Sequence, residues 1–361
     1  MNCCQTYFAL IKGYTTMNIF LLPIGFKAGG WLLSPIVLII SCFFETLSAI
    51  KLSEAAHKVK IYNYPDLVEY CFGKGWRIFF QILIAILCFQ FTFGPVAFLC
   101  KTLQSVTRLA SGETISIWLF YVITILILAP LAWIRTLESL RYGFIFGTIV
   151  IFGTVLTIAI FDIMIIENEH DGEAGDDWKA FNEDGYWTMI ALSFYMFEGI
   201  PTVLPVMESS ECKDNFHWII GAALATLCAI NIAFSELCYY TFGEGITEPI
   251  IILQMPEENP VIITDKLLFC IMICFSYPLI VYACNQVIES FIFGRMEYST
   301  TRKWLKNLSR TINLAIALLI AITFYYKLHK ILGFSAVVFG SVIVLVFPAL
   351  IHNKISAETS F

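Results

Sequence analysis

Three glutamates lie in the middle of long apolar segments of this 361-residue sequence, namely Glu45, Glu198 and Glu236. A carboxylate is costly to bury in such surroundings, so its presence marks a functional candidate. We predict proton-coupling roles for all three. For Glu198 the alternative is a cap on freed backbone amides, and for Glu45 and Glu236 it is a scaffold role. Glu289 lies nearer a predicted helix end and is expected to be solvated there.

Glu198 adjoins one of two places where glycine and proline interrupt an apolar segment. The first interruption runs from Gly13 to Pro23, and the second runs from Phe197 to Pro205. Proline removes a backbone donor and glycine lowers helix stability. Polar groups freed in this way are tolerated in a bilayer only where they line a cavity or a ligand. Helix N-termini attract carboxylates and C-terminal carbonyls attract cations, so the predicted substrate is a zwitterion such as a free amino acid.

The candidate substrate site takes residues from both interruptions and from two further apolar segments. The predicted contacts are Gly13, Tyr14, Thr15, Thr16, Met17, Asn18, Tyr195, Phe197, Glu198, Gly199, Ile200, Phe91, Tyr282 and Asn285. For any single aromatic residue in this set, packing or lipid contact is the alternative. The sequence contains no set of ligands at metal spacing and no nucleotide-binding motif. We therefore predict no metal, no cofactor and no enzymatic activity, with a gradient as the energy source.

The composition requires a membrane around these residues. Of all residues, 58% are hydrophobic and 14% are charged, against roughly 45–50% and about 25% in soluble domains. This excludes a soluble enzyme, a nucleic-acid binder and a disordered chain, and makes membrane lipids the surroundings. At about 20 residues per crossing, the apolar runs predict about ten helices, at 7–30, 33–56, 76–108, 115–134, 138–165, 187–207, 217–242, 262–293, 311–326 and 331–351.

The two interruptions fall in the first helix of each half of this series. Paired breaks at corresponding positions indicate an inverted-repeat transporter with its site at the middle of the bilayer. We predict an all-α integral membrane protein of about ten helices in a LeuT-type 5+5 inverted repeat, with helices 1 and 6 broken. One domain covers 1–361, with repeat one at about 7–165, an acidic loop at 166–186 and repeat two at about 187–351.

Lysine and arginine collect on one side of the predicted helices, and the positive-inside rule places that side in the cytoplasm. The connections on that side contain Lys58, Lys60, Lys74, Arg77, Arg135, Arg141, Arg295, Arg302, Lys303, Lys306 and Arg310. The acidic loop falls on the opposite side. Both termini are therefore predicted to be cytoplasmic. The membrane itself is either the plasma membrane or a vacuolar or lysosomal membrane.

The positions of the cysteines argue against disulfides. Cysteine in an apolar run behaves as a small buried hydrophobe, and the members of this group are Cys42, Cys88, Cys100, Cys228, Cys238, Cys270, Cys274 and Cys284. Cys3 and Cys4 stand beside the first helix, where they are either palmitoylation sites or a tolerated pair.

Around the second interruption the sequence resembles a known family. Residues 197–205, FEGIPTVLP, are similar to the F-E-G-I-x-x-V-L-P signature of the amino acid/auxin permease family, in its proton-coupled amino acid transporter branch. Residues 12–29 resemble the first helix of that branch, and 267–289 resemble its eighth. Residues 242–256 are similar to the stretch between its helices 7 and 8. The resemblance covers nearly the whole chain.

The resemblance implies a secondary active transporter of small zwitterionic amino acids, coupled to protons, with alternating access around broken helices 1 and 6. Two of the departures from the family pattern concern the substrate site and the coupling to protons. Thr16-Met17-Asn18 replaces a small glycine-rich turn, and Ala9 stands where proton-coupled members often carry a histidine. Two alternatives stay open: a non-transporting amino acid sensor with the same fold, and a sodium-coupled amino acid transporter.

Overall fold

The structure is a computed structural model that describes residues 1–134, 141–169, 173–175, 177–294 and 296–358, with the backbone alone at 141–145, 169 and 358. Arg135 and Arg295 of the basic connections, and 170–172 and 176 of the acidic loop, lie outside these ranges, as does the side chain of Arg141. Every regular element within the described ranges is helical, in agreement with the predicted all-α class.

The α-helices follow one another along the chain with short connections. They are α1 (Cys3–Tyr14), α2 (Leu22–Gly29), α3 (Leu33–Val59), α4 (Tyr64–Phe72), α5 (Lys74–Gln90), α6 (Phe93–Ser111), α7 (Ile117–Ala132), α8 (Arg141–Glu169), α9 (Tyr186–Met196), α10 (Val203–Ser209), α11 (Phe216–Phe242), α12 (Ile251–Gln254), α13 (Pro260–Phe293), α14 (Thr300–Thr323), α15 (Leu328–Ser335) and α16 (Phe347–Glu358). Short 3-10 helices occupy Met17–Leu21, Ile200–Thr202, Gly243–Gly245 and Tyr325–Lys327.

Eight helical stretches in the described residues are long and apolar enough to cross a membrane. They are Leu33–Val59, Lys74–Ser111, Phe146–Asn168, Tyr186–Ser209, Phe216–Gly245, Pro260–Phe293, Thr300–Thr323 and Tyr325–Ala357. A ninth is the bent pair of Cys3–Tyr14 and Met17–Gly29, whose two parts differ in direction by 45°.

The prediction of about ten crossings is therefore only partly met by the described residues, and the shortfall lies at 115–134. The helix there, α7, is apolar but has 16 residues, fewer than the roughly 17–25 that a transmembrane helix needs. Its N-terminal boundary is Ser116, and Gly112 just before it adopts a left-handed backbone that ends α6. Hydrophobicity alone therefore overestimated the length of this helix.

The helices form two compact units. The first unit contains Met1–Ile84, Gly175–Glu244 and His329–Phe361, and the second contains Ala85–Ala174 and Gly245–Leu328. In the first unit, α3 packs against α9, α11 and α16, and α2 packs against α9 and α11. In the second unit, α13 packs against α6, α7 and α8. Each unit combines helices from both halves of the chain.

A disulfide in the first unit contradicts the expectation that the cysteines stay unpaired. It joins Cys3, at the start of α1, to Cys212, just after α10. The same two ends are also held by a hydrogen bond of 2.9 Å between the Thr6 and Ser210 hydroxyls. The two cysteines are 209 positions apart, and only the approach of α1 to α10 brings them together. Cys4 is a free, exposed thiol.

The last crossing is not a regular α-helix throughout. Between α15 and α16 the chain forms two π-helical segments, Ala336–Gly340 and Val342–Val346. A π-helix is wider than an α-helix, is rare, and is often found at functional sites. The second of these segments is held by α4 and α3. The Tyr64 hydroxyl donates to the Ile343 carbonyl at 2.7 Å, and the Ser48 hydroxyl donates to the Val344 carbonyl.

Candidate functional site

The first predicted break separates α1 from the 3-10 helix Met17–Leu21. Thr15 has an extended backbone and ends α1, with its N–H donating to the Ile11 carbonyl at 2.8 Å. Thr16 is also extended and caps the next helix, because its hydroxyl accepts from the Asn18 N–H at 3.3 Å. The break therefore presents the C-terminus of one helix and the N-terminus of another, as predicted from Gly13 to Pro23.

The second predicted break separates α9 from α10. Phe197 ends α9, and the 3-10 helix Ile200–Thr202 follows before α10 begins. The Gly199 N–H donates to the Phe197 carbonyl at 2.7 Å. The Thr202 hydroxyl in turn donates to the Gly199 carbonyl at 2.7 Å. The sequence placed this break correctly because glycine and proline act on the local backbone.

The structure brings the two breaks together inside the first unit. The Asn18 side-chain amide donates to the Tyr195 carbonyl at 3.2 Å. Gly199 lies against the ring of Tyr14, and a Cβ on Gly199 would stand 2.7 Å from the Tyr14 Cε1. Gly13 lies against Thr202 in the same way, because a Cβ on Gly13 would stand 2.5 Å from the Thr202 Oγ1. The glycines at these positions therefore permit an approach that any side chain would prevent.

The remaining predicted residues of the two breaks are enclosed in the same unit. Met17, Phe197 and Ile200 are buried. The Thr15 hydroxyl is buried as well and has no hydrogen-bond partner among the described residues. A buried hydroxyl without a partner carries a desolvation cost, so Thr15 is the polar atom at the first break best placed to gain from a bound ligand.

Two of the three predicted proton-coupling glutamates lie together beside the breaks. Glu45 on α3 is 3% exposed and Glu198 is 8% exposed. The two carboxylates are close enough to interact electrostatically. The Tyr14 hydroxyl donates to Glu45 Oε1 over a long 3.4 Å. The site thus places two buried carboxylates next to a phenol and to the ends of four helices.

Glu236, the third predicted carboxylate, lies elsewhere on α11. It is half-buried, and its Oε2 has no hydrogen-bond partner within the described part of the chain. It acts electrostatically on Tyr239, one turn away on the same helix. No described hydrogen bond or ion pair joins it to Glu45 or Glu198.

The three candidates from other helices belong to the second unit. Phe91 lies between α5 and α6, where the helix is interrupted. The Tyr282 hydroxyl accepts from the Gln286 side-chain amide at 2.7 Å, and Asn285 Oδ1 accepts from the Asn313 amide at 3.1 Å. Their part in substrate binding stays a prediction.

Sequence reasoning missed the contribution of the last crossing. Gly340 lies against Glu198, and a Cβ built on Gly340 would overlap Glu198 Oε1 and stand 3.0 Å from its Cδ. The local signal was a glycine and a serine, Gly340-Ser341, in a largely apolar run. Among the described residues, no group of three or more histidine, cysteine, aspartate or glutamate side chains is arranged to hold a metal ion.

Comparison with known proteins identifies the family to which this arrangement belongs. The transmembrane amino acid transporter protein family matches residues 1–361. The chain belongs to this family. It is a multi-pass membrane protein, and the members of its family are transporters rather than enzymes. The resemblance seen at residues 197–205 is thereby confirmed.

A curated relative and two solved structures show how far the similarity extends. The Vacuolar amino acid transporter 3 of Saccharomyces cerevisiae is 24% identical over 357 residues, covering 96% of this chain and 51% of the relative. The chain thus spans about half the length of this relative. The fold is similar to that of Mhp1, a nucleobase-cation-symport-1 family transporter (TM-score 0.61, 14% identity, 95% of this chain and 76% of that chain). It is also similar to MhsT in complex with L-phenylalanine (TM-score 0.58, 10% identity, 97% and 94%).

Proposed function

We propose that this chain forms the core of a secondary active transporter of small zwitterionic amino acids, with the substrate held at the two helix breaks. The observation that carries the proposal is the contact between Gly199 and the ring of Tyr14. It brings the ends of α1 and α9 next to the starts of the two 3-10 helices. Helix starts attract a carboxylate and helix ends attract an ammonium group. Membership of an amino acid transporter family supports the same substrate class.

We propose that protons drive the transport and that Glu198 and Glu45 exchange them. Both side chains are buried next to the substrate site, where ionisable groups in membrane proteins commonly form proton relays. The Tyr14 hydroxyl donates to one of them. Binding of a proton and of a substrate at one place couples the two. Glu236, which is separate from this pair, is the weaker candidate.

The proposed architecture is a single domain of ten crossings in two inverted repeats, with α7 as the short additional crossing. It is supported by the matched breaks in the first helix of each half and by the fold similarity to Mhp1 and MhsT. Alternating access would then centre on the broken helices. The basic connections favour cytoplasmic termini. The name of the yeast relative favours a vacuolar membrane over the plasma membrane.

Uptake by proteoliposomes tests this function. A panel of labelled amino acids is offered at two pH values, with and without an acid-outside gradient. We expect saturable uptake that the gradient stimulates. Glu198→Gln should lose the stimulation and keep amino acid exchange, because the amide retains the shape of the side chain and cannot carry a proton. Glu208→Gln is the matched control, since Glu208 is an exposed glutamate on α10, the helix that follows the same break.

Each other outcome has a definite meaning. Uptake unaffected by collapse of the gradient contradicts proton coupling, and uptake that follows sodium supports the sodium-coupled alternative. Amino acid binding without counterflow supports a sensor. Gly199→Val directs a side chain into the ring of Tyr14, so folded protein with undiminished transport would refute the site.

A further inference from the structure

Gly340 is the point at which the last crossing approaches the proposed proton-carrying residue. It ends the first π-helical segment and is buried. A methyl group on Gly340 would overlap the Glu198 Oε1. The carboxyl group of Glu198 therefore occupies space that exists only because residue 340 has no side chain.

The backbone that follows Gly340, in the second π-helical segment, is anchored from two sides. The Ile343 carbonyl accepts from Tyr64 at the start of α4, and the Val344 carbonyl accepts from Ser48 on α3. Ser48 lies three positions after Glu45, and residues with this spacing share a helix face. The face of α3 that carries Glu45 thus also holds the second π-helical segment, through Ser48. This fixes the place of Gly340 relative to both carboxylates.

We propose that Gly340 is a positioning residue for Glu198, and that the widened helix around it sets where this carboxyl group takes up and releases its proton. The inference rests on the proposed function. The ionisable groups that interact with Glu198 from neighbouring elements are Glu45 on α3 and Tyr195 on α9, with Tyr14 on α1 beside Gly199. A displaced carboxyl group meets these neighbours at different distances.

Two other glycines separate this role from ordinary helix packing. Gly333 lies on α15, and a Cβ on it would stand 2.9 Å from the Ala191 Cβ, an apolar contact with α9. Gly221 lies on α11 with nothing within 4 Å of a built Cβ. Gly333→Ala therefore adds a crowded methyl group without touching a carboxylate, and Gly221→Ala adds one in open space.

Labelling with dicyclohexylcarbodiimide, which attacks protonated carboxyl groups in apolar surroundings, tests the proposal on purified protein in liposomes. The labelling of Glu198 is measured by peptide mass spectrometry as a function of pH. All variants carry Glu45→Gln, so that Glu198 is the one carboxyl group of the pair that can be labelled. We expect Gly340→Ala to change the rate several-fold and to shift the pH of half-maximal labelling. Gly333→Ala and Gly221→Ala should leave that pH unchanged.

Rescue by a shorter acid completes the test. Glu198→Asp withdraws the carboxyl group by one methylene, so adding Gly340→Ala to it should leave the labelling profile of the acid at position 198 unchanged. If Gly340→Ala alone does not fold and the double variant does, the overlap with Glu198 is the cause, and the proposal stands. An unchanged profile in Gly340→Ala, or failure of both variants to fold, overturns it. Labelling is independent of transport, so a failure of proton-driven uptake is recognised separately.

Discussion

Glu45 in the first unit and Glu289 in the second are equally buried carboxylates with opposite partners. They are 3% and 7% exposed. Glu289 accepts from Arg310 Nε at 2.6 Å and pairs with Lys306 Nζ at 2.8 Å. Glu45 accepts from the neutral Tyr14 hydroxyl, and no ion pair involving it occurs among the described residues. We infer that Glu289 is held permanently charged, whereas the surroundings of Glu45 suit a group that exchanges a proton.

The cations around Glu289 also explain what it does. Arg310 Nη1 donates to the Ala132 and Ile134 carbonyls, each at 3.0 Å. It therefore ties α13 and α14 to the end of α7. The expectation that Glu289 would be solvated near a helix end was wrong, because Arg310, on the next long helix, reaches back to it. Burial with two cations indicates a structural role.

The largest predicted effect is on stability and comes from breaking the charged pair. Glu289→Gln leaves Arg310 buried without its counterion, which typically costs about 3–5 kcal/mol. Glu45→Gln keeps an acceptor for Tyr14 and should cost no more than about 1.5 kcal/mol. Thermal unfolding of the two purified variants in detergent measures the difference. Similar losses of stability in both would abolish the distinction between the two carboxylates.

A smaller effect is expected when the neutral donor to Glu45 is removed. Tyr14→Phe deletes one long hydrogen bond, at about 0.5–1.5 kcal/mol, and changes the surroundings of a proposed proton site. We expect the pH profile of uptake to shift with little change in the maximal rate. Tyr7→Phe is the control, because Tyr7 is on the same helix and donates to a hydroxyl, that of Thr226, at 2.8 Å. An equal shift in both variants would argue against the relay.

The smallest effect concerns Glu257. Its carboxylate pairs with one cation, whereas Glu289 pairs with two and Glu45 accepts from a neutral hydroxyl. Glu257 is paired with Arg108 in the second unit and is half-exposed, in the connection before α13. Burial raises the pKa of Glu257, but hydrogen bonds from Ser105 and Arg108 outweigh it, and the pKa falls below the usual 4.5. The pair therefore contributes stability above pH 4.5, and this contribution is lost as the pH falls through the lowered pKa.

Hydrogen exchange of residues 250–260, corrected for the intrinsic effect of pH, measures this loss. We expect protection in this connection to decrease slightly below pH 4.5. Glu257→Gln should show the weaker protection at every pH. Protection that is independent of pH in the unsubstituted protein would mean that the ion pair contributes nothing.

The features that the sequence predicted well are those with local causes. Gly13, Gly199 and the prolines that follow them weaken the helix at their own positions in the chain, so both breaks were found. Glu198 was recognised because a carboxylate is conspicuous in an apolar run. Contacts between distant parts of the chain could not be predicted in this way. Gly340 meets Glu198, and Cys3 meets Cys212, only after α15, α10 and their neighbours have packed.

The length of α7 and the partners of Glu289 show the same limit. Hydrophobicity marks where a helix is apolar, but its ends depend on local backbone such as the left-handed Gly112. Whether a carboxylate is solvated, paired with cations or hydrogen-bonded to a phenol depends on side chains from other helices. Residue type therefore identified the carboxylates of interest, but it did not predict the partners that determine the role of each one.

The disulfide between Cys3 and Cys212 has a consequence for the covalent topology of the chain. It closes a ring that includes both helix breaks and the acidic loop 166–186. A protease that cuts once within that loop opens the ring without releasing a fragment. The two pieces should migrate together on a non-reducing gel and separate only after reduction, so a nicked protein would keep Tyr14 and Gly199 on one covalently connected molecule.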